Sequence, residues 1–136
     1  YKISEFNPEL LEHEFAILTK EQSWKLVLKK DLAIEAILKE LPECLRTLDV
    51  SILHHLIFPG LKIKRDAADI KYVHTSQEAI EWLTTKKSRL PAAVFLLAPT
   101  PLRAIERAAL AGERMPPKST YFYPKPLSGL VMRYFG

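Results

Sequence analysis

Residues 114–125 constrain the fold more than any other stretch of this chain because they contain three prolines. Proline fixes φ and removes a backbone donor, so Pro116, Pro117 and Pro124 exclude a helix here and predict a stiff, extended path. A stiff backbone holds polar side chains in place, and this stretch also carries lysines, hydroxyl groups and aromatic rings. We therefore expect a ligand-binding segment, whose candidate residues are Arg114, Lys118, Ser119, Thr120, Tyr123 and Lys125.

Two interpretations of this segment follow from its chemistry. In the first, Lys118 and Lys125 bind the charge of a small molecule that carries a phosphate or carboxylate. Ser119, Thr120 and Tyr123 then orient that molecule. In the second, the hydroxyl groups satisfy neighbouring backbone groups, and the segment only locks the fold or docks another domain. The glycine-rich frame of a phosphate-binding loop is absent from the sequence, so both interpretations stay open.

Length and composition predict one domain over residues 1–136. A chain of 136 residues, 48% hydrophobic and 26% charged, is long enough to bury a core without disulfides or metals. The lone Cys44 cannot form an internal disulfide, which favours a cytoplasmic setting. The basic residues behind the net charge of +4 are scattered, which argues against a nucleic-acid partner. No apolar run approaches the roughly 20 residues of a membrane span, so no membrane partner is expected, and the cofactor is unknown.

Strand-like and helix-like patterns alternate along the chain. Apolar residues recur every second position over residues 15–17 and 24–28, on either side of a polar turn, which predicts a β-hairpin. Further strands are predicted at residues 70–74, 92–97 and 129–135, and residues 92–97 are apolar enough to be the central strand. Helices are predicted at residues 32–41, 48–58, 75–87 and 101–111. The order predicts an α+β fold: a small mixed sheet with an N-terminal hairpin and about four helices.

Capping residues predict where the last three helices begin. Thr75 and Glu78 have the spacing of a capping box. In this motif the Thr75 side chain accepts the Glu78 amide, and the Glu78 side chain reaches back to the start of the helix. The expected N-caps are, in chain order, Thr47, Thr75 and Thr100. The fourth helix should end at Gly112, and the face that it should bury contains Leu102, Ile105 and Ala109.

Catalytic and metal-binding constellations are not predicted. His54 and His55 are adjacent, so they point about 100° apart on a regular helix and do not chelate one ion, and His54 is expected as a core histidine. Cys44 lies beside Glu40 and Glu43, whose negative charges disfavour a thiolate. We therefore expect an inert thiol, no metal site and no catalytic residue.

Several stretches together resemble a known family. They are residues 48–54, 70–83, 93–100, 112–125 and 128–131, and the most distinctive is Met-Pro-Pro-Lys-Ser-Thr-Tyr-Phe-Tyr-Pro-Lys at residues 115–125. This pattern resembles the C-terminal part of an uncharacterised bacterial and archaeal family called domain of unknown function 1015. The resemblance implies that the chain is a C-terminal accessory domain of a larger protein.

The same resemblance implies a partner and a limit on activity. Members of that family are longer, and their N-terminal half carries a paired-histidine motif with neighbouring Gly and Arg. His54 and His55 lack those neighbours, so the chain is not expected to be catalytic as an isolated fragment. The N-terminal part of the same protein is the expected partner. A former interface exposed on a fragment could also form a homodimer.

Overall fold

A computed structural model describes residues 9–63, 70–85 and 92–121. In them, a three-stranded sheet contains β1 (Glu14–Leu18), β2 (Ser23–Val27) and β3 (Val94–Leu97), in the order β2, β1, β3. The predicted hairpin and the α+β class are confirmed. The described strand pairs are antiparallel, whereas the sequence predicted a mixed sheet.

The centre of the described sheet is β1 rather than residues 92–97. Phe15 pairs with Leu26 on one side and with Leu97 on the other, and β1 is buried from Phe15 to Leu18. In the described part of the chain, β3 lies at an edge of the sheet, and of its residues Val94 is buried while the others are half-buried. Within the described residues, the strand predicted to be central at residues 92–97 thus pairs on one side only, because a continuous apolar run indicates coverage by helices and not the number of neighbouring strands.

Alternating side chains of β1 divide the core into two layers. On one face the buried cluster contains Phe15, Ile34, Leu38, Ile52, Leu53 and Phe58. On the other face it contains Ala16, Leu18, Ala79, Ile80, Leu83 and Val94. Burying one large apolar side chain contributes about 1.5 to 3 kcal/mol, so both layers stabilise the sheet substantially.

Two single helical turns follow the hairpin: α1 (Ile34–Ile37) and α2 (Glu43–Arg46). The predicted helix at residues 32–41 is thus reduced to one turn. Ile34 and Leu38 are buried, while the side chain of Ile37 is 45% exposed. A turn this short is not stable by itself, so the packing of Ile34 and Leu38 holds it in place.

The next helical region has three consecutive segments: α3 (Asp49–Ile52), a π-helical turn (Leu53–Ile57) and α4 (Phe58–Gly60). The residues at their junctions keep right-handed helical φ and ψ. The sequence predicted Thr47 as the N-cap of this region, and that prediction is wrong. Leu48 holds that position with an extended backbone and no capping side chain. Thr47 instead ends α2, so its backbone belongs to the preceding turn.

Helix α5 (Ser76–Thr85) begins with the predicted Thr75 cap, and the Glu78 side chain reaches back to the amide one residue before that cap. The Glu78 amide donates to Thr75 Oγ1 at 3.1 Å, and the His74 amide donates to Glu78 Oε2 at 3.2 Å. The buried residues of α5 are the expected Ala79, Ile80 and Leu83. Residues 70–74 form neither strand nor helix, contrary to the prediction. The Glu78 side chain already binds the His74 amide, and Tyr72 is largely exposed.

Helix α6 (Leu102–Leu110) begins one residue later than predicted, with Pro101 and not Thr100 at its N-cap. Its buried residues are Ala104 and Ala108, whereas of the expected residues Leu102 is 72% exposed, Ala109 is exposed and Ile105 is half-buried. The sequence prediction of the buried face is therefore wrong, because small residues bring α6 close to α2 in a third cluster. That cluster contains Leu45, Leu48, Ala104 and Ala108.

The end of α6 agrees with the sequence. Gly112 has a φ of +70°, and its amide donates to Ala109 O at 3.1 Å. The Glu113 amide donates to Ala108 O at 2.9 Å, which completes a Schellman motif.

Two predictions of secondary structure lie outside the described residues: the strand at residues 129–135 and the end of the third helix at residues 86–87. In the described part of the chain, no helix combines the length and apolar character needed to cross a membrane.

Candidate functional site

The proline-rich segment is described as far as Tyr121, so the candidate residues Tyr123 and Lys125 lie outside the described residues. Of the others, Arg114 and Lys118 are exposed, while Ser119 and Thr120 are half-buried. The two cations are thus accessible to solvent, and the two hydroxyl residues are partly covered.

Residues 116–119 form a tight turn that binds the Ser119 hydroxyl. Pro116 O accepts hydrogen bonds from the Ser119 amide at 3.2 Å and from Ser119 Oγ at 2.6 Å. Pro117 takes the second position of the turn, and Lys118 takes the third with a φ of +60°, a pattern typical of a type II turn. The Ser119 hydroxyl proton is therefore donated within the turn and not toward a ligand.

Three contacts anchor this segment to the rest of the fold. Met115 packs against the third cluster beneath α6. Thr100 Oγ1 donates to Ser119 O at 2.8 Å, which explains why Thr100 does not cap α6. The Tyr121 ring stacks on His74, with centroids 4.1 Å apart and planes inclined by 27°. The segment thereby ties the start of α6 to the residues that precede α5.

A second polar cluster, which sequence reasoning missed, centres on His13. This residue holds the third position of the turn at residues 11–14, closed by the Glu14 amide donating to Leu11 O at 3.0 Å. Its φ is +69°. The Asp49 carboxylate accepts the His13 amide at 3.0 and 3.1 Å through its two oxygens, and Oδ1 lies 2.9 Å from His13 Nδ1.

Asp49 holds the imidazole in one orientation. A hydrogen bond from Nδ1–H to the ionised carboxylate leaves Nε2 as the second polar atom of the ring. Burial raises the pKa of the Asp49 carboxyl, and the hydrogen bonds from His13 oppose this rise without cancelling it. The two residues are 36 positions apart. No local motif joins them, so only the tertiary structure reveals the pair.

Ion pairs flank the His13 turn on both sides. Glu12 pairs with Arg103 at 2.6 Å, and Glu14 pairs with Lys25 at 2.8 Å. The hydrogen bond from the Leu11 amide lowers the pKa of the Glu14 carboxyl, and the hydrogen bond from Lys25 lowers it further. The Glu12 pair is well exposed and contributes little stability, but it links the turn to α6.

An open depression of about 520 Å³ lies beside His13. His13 and Thr47 line it together with the connection from β2 to α1 and with α1 itself, which supply Leu28, Lys29, Lys30, Leu32, Ala33, Ile34, Glu35 and Ala36. Its lining therefore combines an apolar wall with basic side chains, which is a common composition for a small-molecule site.

The remaining candidate residues take packing positions. His54 is half-buried, and its ring meets Phe58 edge-on with centroids 5.1 Å apart. Cys44 is half-buried and packs against the third cluster. Within residues 9–63, 70–85 and 92–121, no three or more His, Cys, Asp or Glu side chains are grouped so that they could hold a metal ion.

Comparisons with known proteins do not provide a family for this chain. No protein-family model, curated protein or solved structure matches it. The resemblance to domain of unknown function 1015 stays a prediction, and the function has to be inferred from the geometry.

Proposed function

We propose that this chain is a non-catalytic accessory domain of a larger cytoplasmic protein, in which residues 114–121 brace the fold. The observation that carries this proposal is the hydrogen bond from the Thr100 hydroxyl to Ser119 O at 2.8 Å. It joins residues 19 positions apart and fixes the proline-rich segment against the start of α6. The domain then presents a stable surface to the N-terminal part of the same protein.

The Thr100 and Ser119 hydroxyl groups support this structural role, because both already donate to backbone carbonyl oxygens of the chain. A ligand that took the Ser119 hydroxyl would leave Pro116 O with fewer hydrogen bonds. Pro116 O would then keep only the hydrogen bond from the Ser119 amide, so one internal hydrogen bond, worth about 0.5 to 1.5 kcal/mol, would be lost. The Met115 and Tyr121 contacts add apolar and aromatic anchoring at either end of the segment.

Anion binding by the same segment is the second candidate function. Arg114 and Lys118 are exposed, and neither forms an ion pair with another residue of the described part of the chain. Two such cations, with Thr120 and the predicted Tyr123 and Lys125, would suit a phosphate or carboxylate. Ser119 does not belong to this version, because its hydroxyl is bound within the turn.

Replacing Thr100 tests the brace. Thr100→Val keeps the side-chain shape but removes the donor to Ser119 O, so we expect the free energy of unfolding in urea to fall by about 1 kcal/mol. Thr100→Ser is the matched control, because it keeps the hydroxyl and should retain more of the stability than Thr100→Val.

Arg114→Gln and Lys118→Gln separate the two candidate functions. For a brace, both variants unfold at the wild-type urea concentration, and inorganic phosphate changes their melting temperatures by the same amount as it changes that of wild type. A phosphate-dependent rise that both glutamine variants abolish, with Thr100→Val as stable as wild type, would favour anion binding and contradict the brace.

A further inference from the structure

We propose that the depression beside His13 is a ligand site for a small organic anion, that is, an apolar body that carries one carboxylate or phosphate group. This site lies between the turn at residues 11–14, the β2 to α1 connection with α1, and Thr47. It involves none of the residues of the proline-rich segment. Its ligand class follows from an apolar wall, a basic end and a fixed histidine.

The wall accounts for the apolar body of the ligand. Leu28, Leu32 and Ile34 line the depression with Ala33 and Ala36, so half of its lining residues are aliphatic. Leu32 remains 40% exposed there, and its contact with a ligand would remove apolar surface from water. The volume of about 520 Å³ lies within the range of ordinary small-molecule sites.

The basic end accounts for the anionic group. Lys29 and Lys30 both line the depression and are exposed, so their flexible ammonium groups can move toward a bound anion. Glu35 is the one acidic residue of the lining, so positive charge prevails there. The Thr47 hydroxyl adds a neutral donor. A few cations in a partly apolar site favour a single anionic group over a polyanion.

His13 supplies the fixed polar group of the site. Its φ of +69° is costly for a residue with a Cβ, and a glycine would adopt it freely. The Asp49 carboxylate offsets that cost by binding both the amide and Nδ1 of His13. Backbone strain of this kind is concentrated at binding and catalytic sites. In the proposed site, Asp49 is a positioning residue, and the imidazole ring that it holds is part of the lining against which the ligand binds.

A matched pair of probes tests the ligand class. 4-Phenylbutyrate is an apolar body with a carboxylate, and 4-phenylbutanamide has the same body without the charge. We expect 4-phenylbutyrate to give saturable chemical-shift changes in amide NMR spectra of the full chain, centred on residues 28–36. The neutral amide should bind about fivefold more weakly, and phenyl phosphate should show whether phosphate replaces carboxylate.

Variants locate the charge that the probe needs. Lys29→Gln with Lys30→Gln should weaken 4-phenylbutyrate about fivefold or more, whereas Lys71→Gln, an exposed lysine outside the lining, should bind it as wild type does. His13→Asn keeps a residue that tolerates positive φ and should also weaken binding. Its unperturbed amide spectrum away from the turn would show that the fold is intact.

Two results would overturn the proposal. The first is equal affinity for 4-phenylbutyrate and its amide, which would mean that the charge is not recognised. The second is the lack of saturable shifts at residues 28–36 with any of the three probes at tens of millimolar. Either result would leave the brace proposal untouched, because the two sites share no residue.

Discussion

His13 and Lys118 share an unusual backbone conformation. Each occupies the third position of a turn closed by a hydrogen bond between its first and fourth residues, with φ values of +69° and +60°. Glycine is the default residue at such positions because it has no Cβ. The Asp49 contact accounts for His13, whereas the exposed Lys118 side chain has no comparable partner in the described residues.

Asp49→Asn should change how stability depends on pH. Burial raises the pKa of the Asp49 carboxyl in the folded state. The native state therefore binds this proton more tightly than the unfolded chain, and the stabilising contribution is lost as pH rises through the folded pKa. We expect the difference in unfolding free energy, wild type minus Asp49→Asn, to fall as pH rises from the ordinary Asp pKa of 3.8 through the higher pKa of the folded state.

Urea unfolding at several pH values measures that difference. The pKa of Glu14 is lowered, so its contribution is lost as pH falls, but it is present in both proteins and cancels. A difference that rises with pH would show that the hydrogen bonds from His13 outweigh burial and lower the pKa of Asp49.

Helix α6 shows how one element can present a misleading sequence pattern. Of its three large apolar residues, Leu102 and Leu110 are 72% and 82% exposed, and Ile105 is half-buried. The residues that face the core are Ala104 and Ala108. Small side chains allow α6 to approach α2 closely, and this packing outweighs the larger area that the leucines could bury elsewhere.

Neighbouring alanines of α6 provide a direct test of that orientation. Ala108 is fully buried and Ala109 is exposed. Ala108→Leu should lower the free energy of unfolding by about 1 to 3 kcal/mol because the third cluster has no room for the larger side chain. Ala109→Leu should change it by less than about 0.5 kcal/mol. If Ala109→Leu lowered the free energy of unfolding more than Ala108→Leu, the buried face of α6 would be the one predicted from the sequence.

Elements with local signals were predictable from the sequence, and elements set by distant contacts were not. The capping box of Thr75 and Glu78 and the end of α6 at Gly112 depend on residues within one turn of each other. Thr100 was expected to cap α6, but it binds Ser119 O, 19 positions away. The π-helical turn at Leu53–Ile57 likewise lacks a recognised local signature.

The same division applies to the candidate site. The proline-rich segment could be found from the sequence because its prolines, lysines and hydroxyl residues are close together in the chain. The structure shows that the Ser119 hydroxyl donates to Pro116 O within the same turn. The contact between His13 and Asp49 could not be predicted from the sequence, because the two residues are 36 positions apart and belong to no common motif. Distances between side chains that are far apart in sequence are properties of the fold.

For the whole molecule, the sheet separates two core layers, and this predicts nearly independent responses to mutation. Ile52 belongs to the first layer and Ile80 to the second. Ile52→Val and Ile80→Val should each cost about 0.5 to 1.5 kcal/mol. In the double variant, the two costs should add within about 0.5 kcal/mol. A larger coupling energy in urea unfolding would show that the sheet transmits packing strain between its faces.

The central position of β1 also has a consequence for the order of folding. β1 and β2 are neighbours in sequence, so their hairpin can form within about 1 to 10 µs. The other side of β1 pairs Leu18 with Val94, and that pairing closes a long loop of chain. During synthesis, β1 therefore emerges with one edge unpaired long before β3 exists. We expect the docking of β3 to limit the folding rate, and the nascent chain to be most prone to strand addition by other chains until β3 has docked.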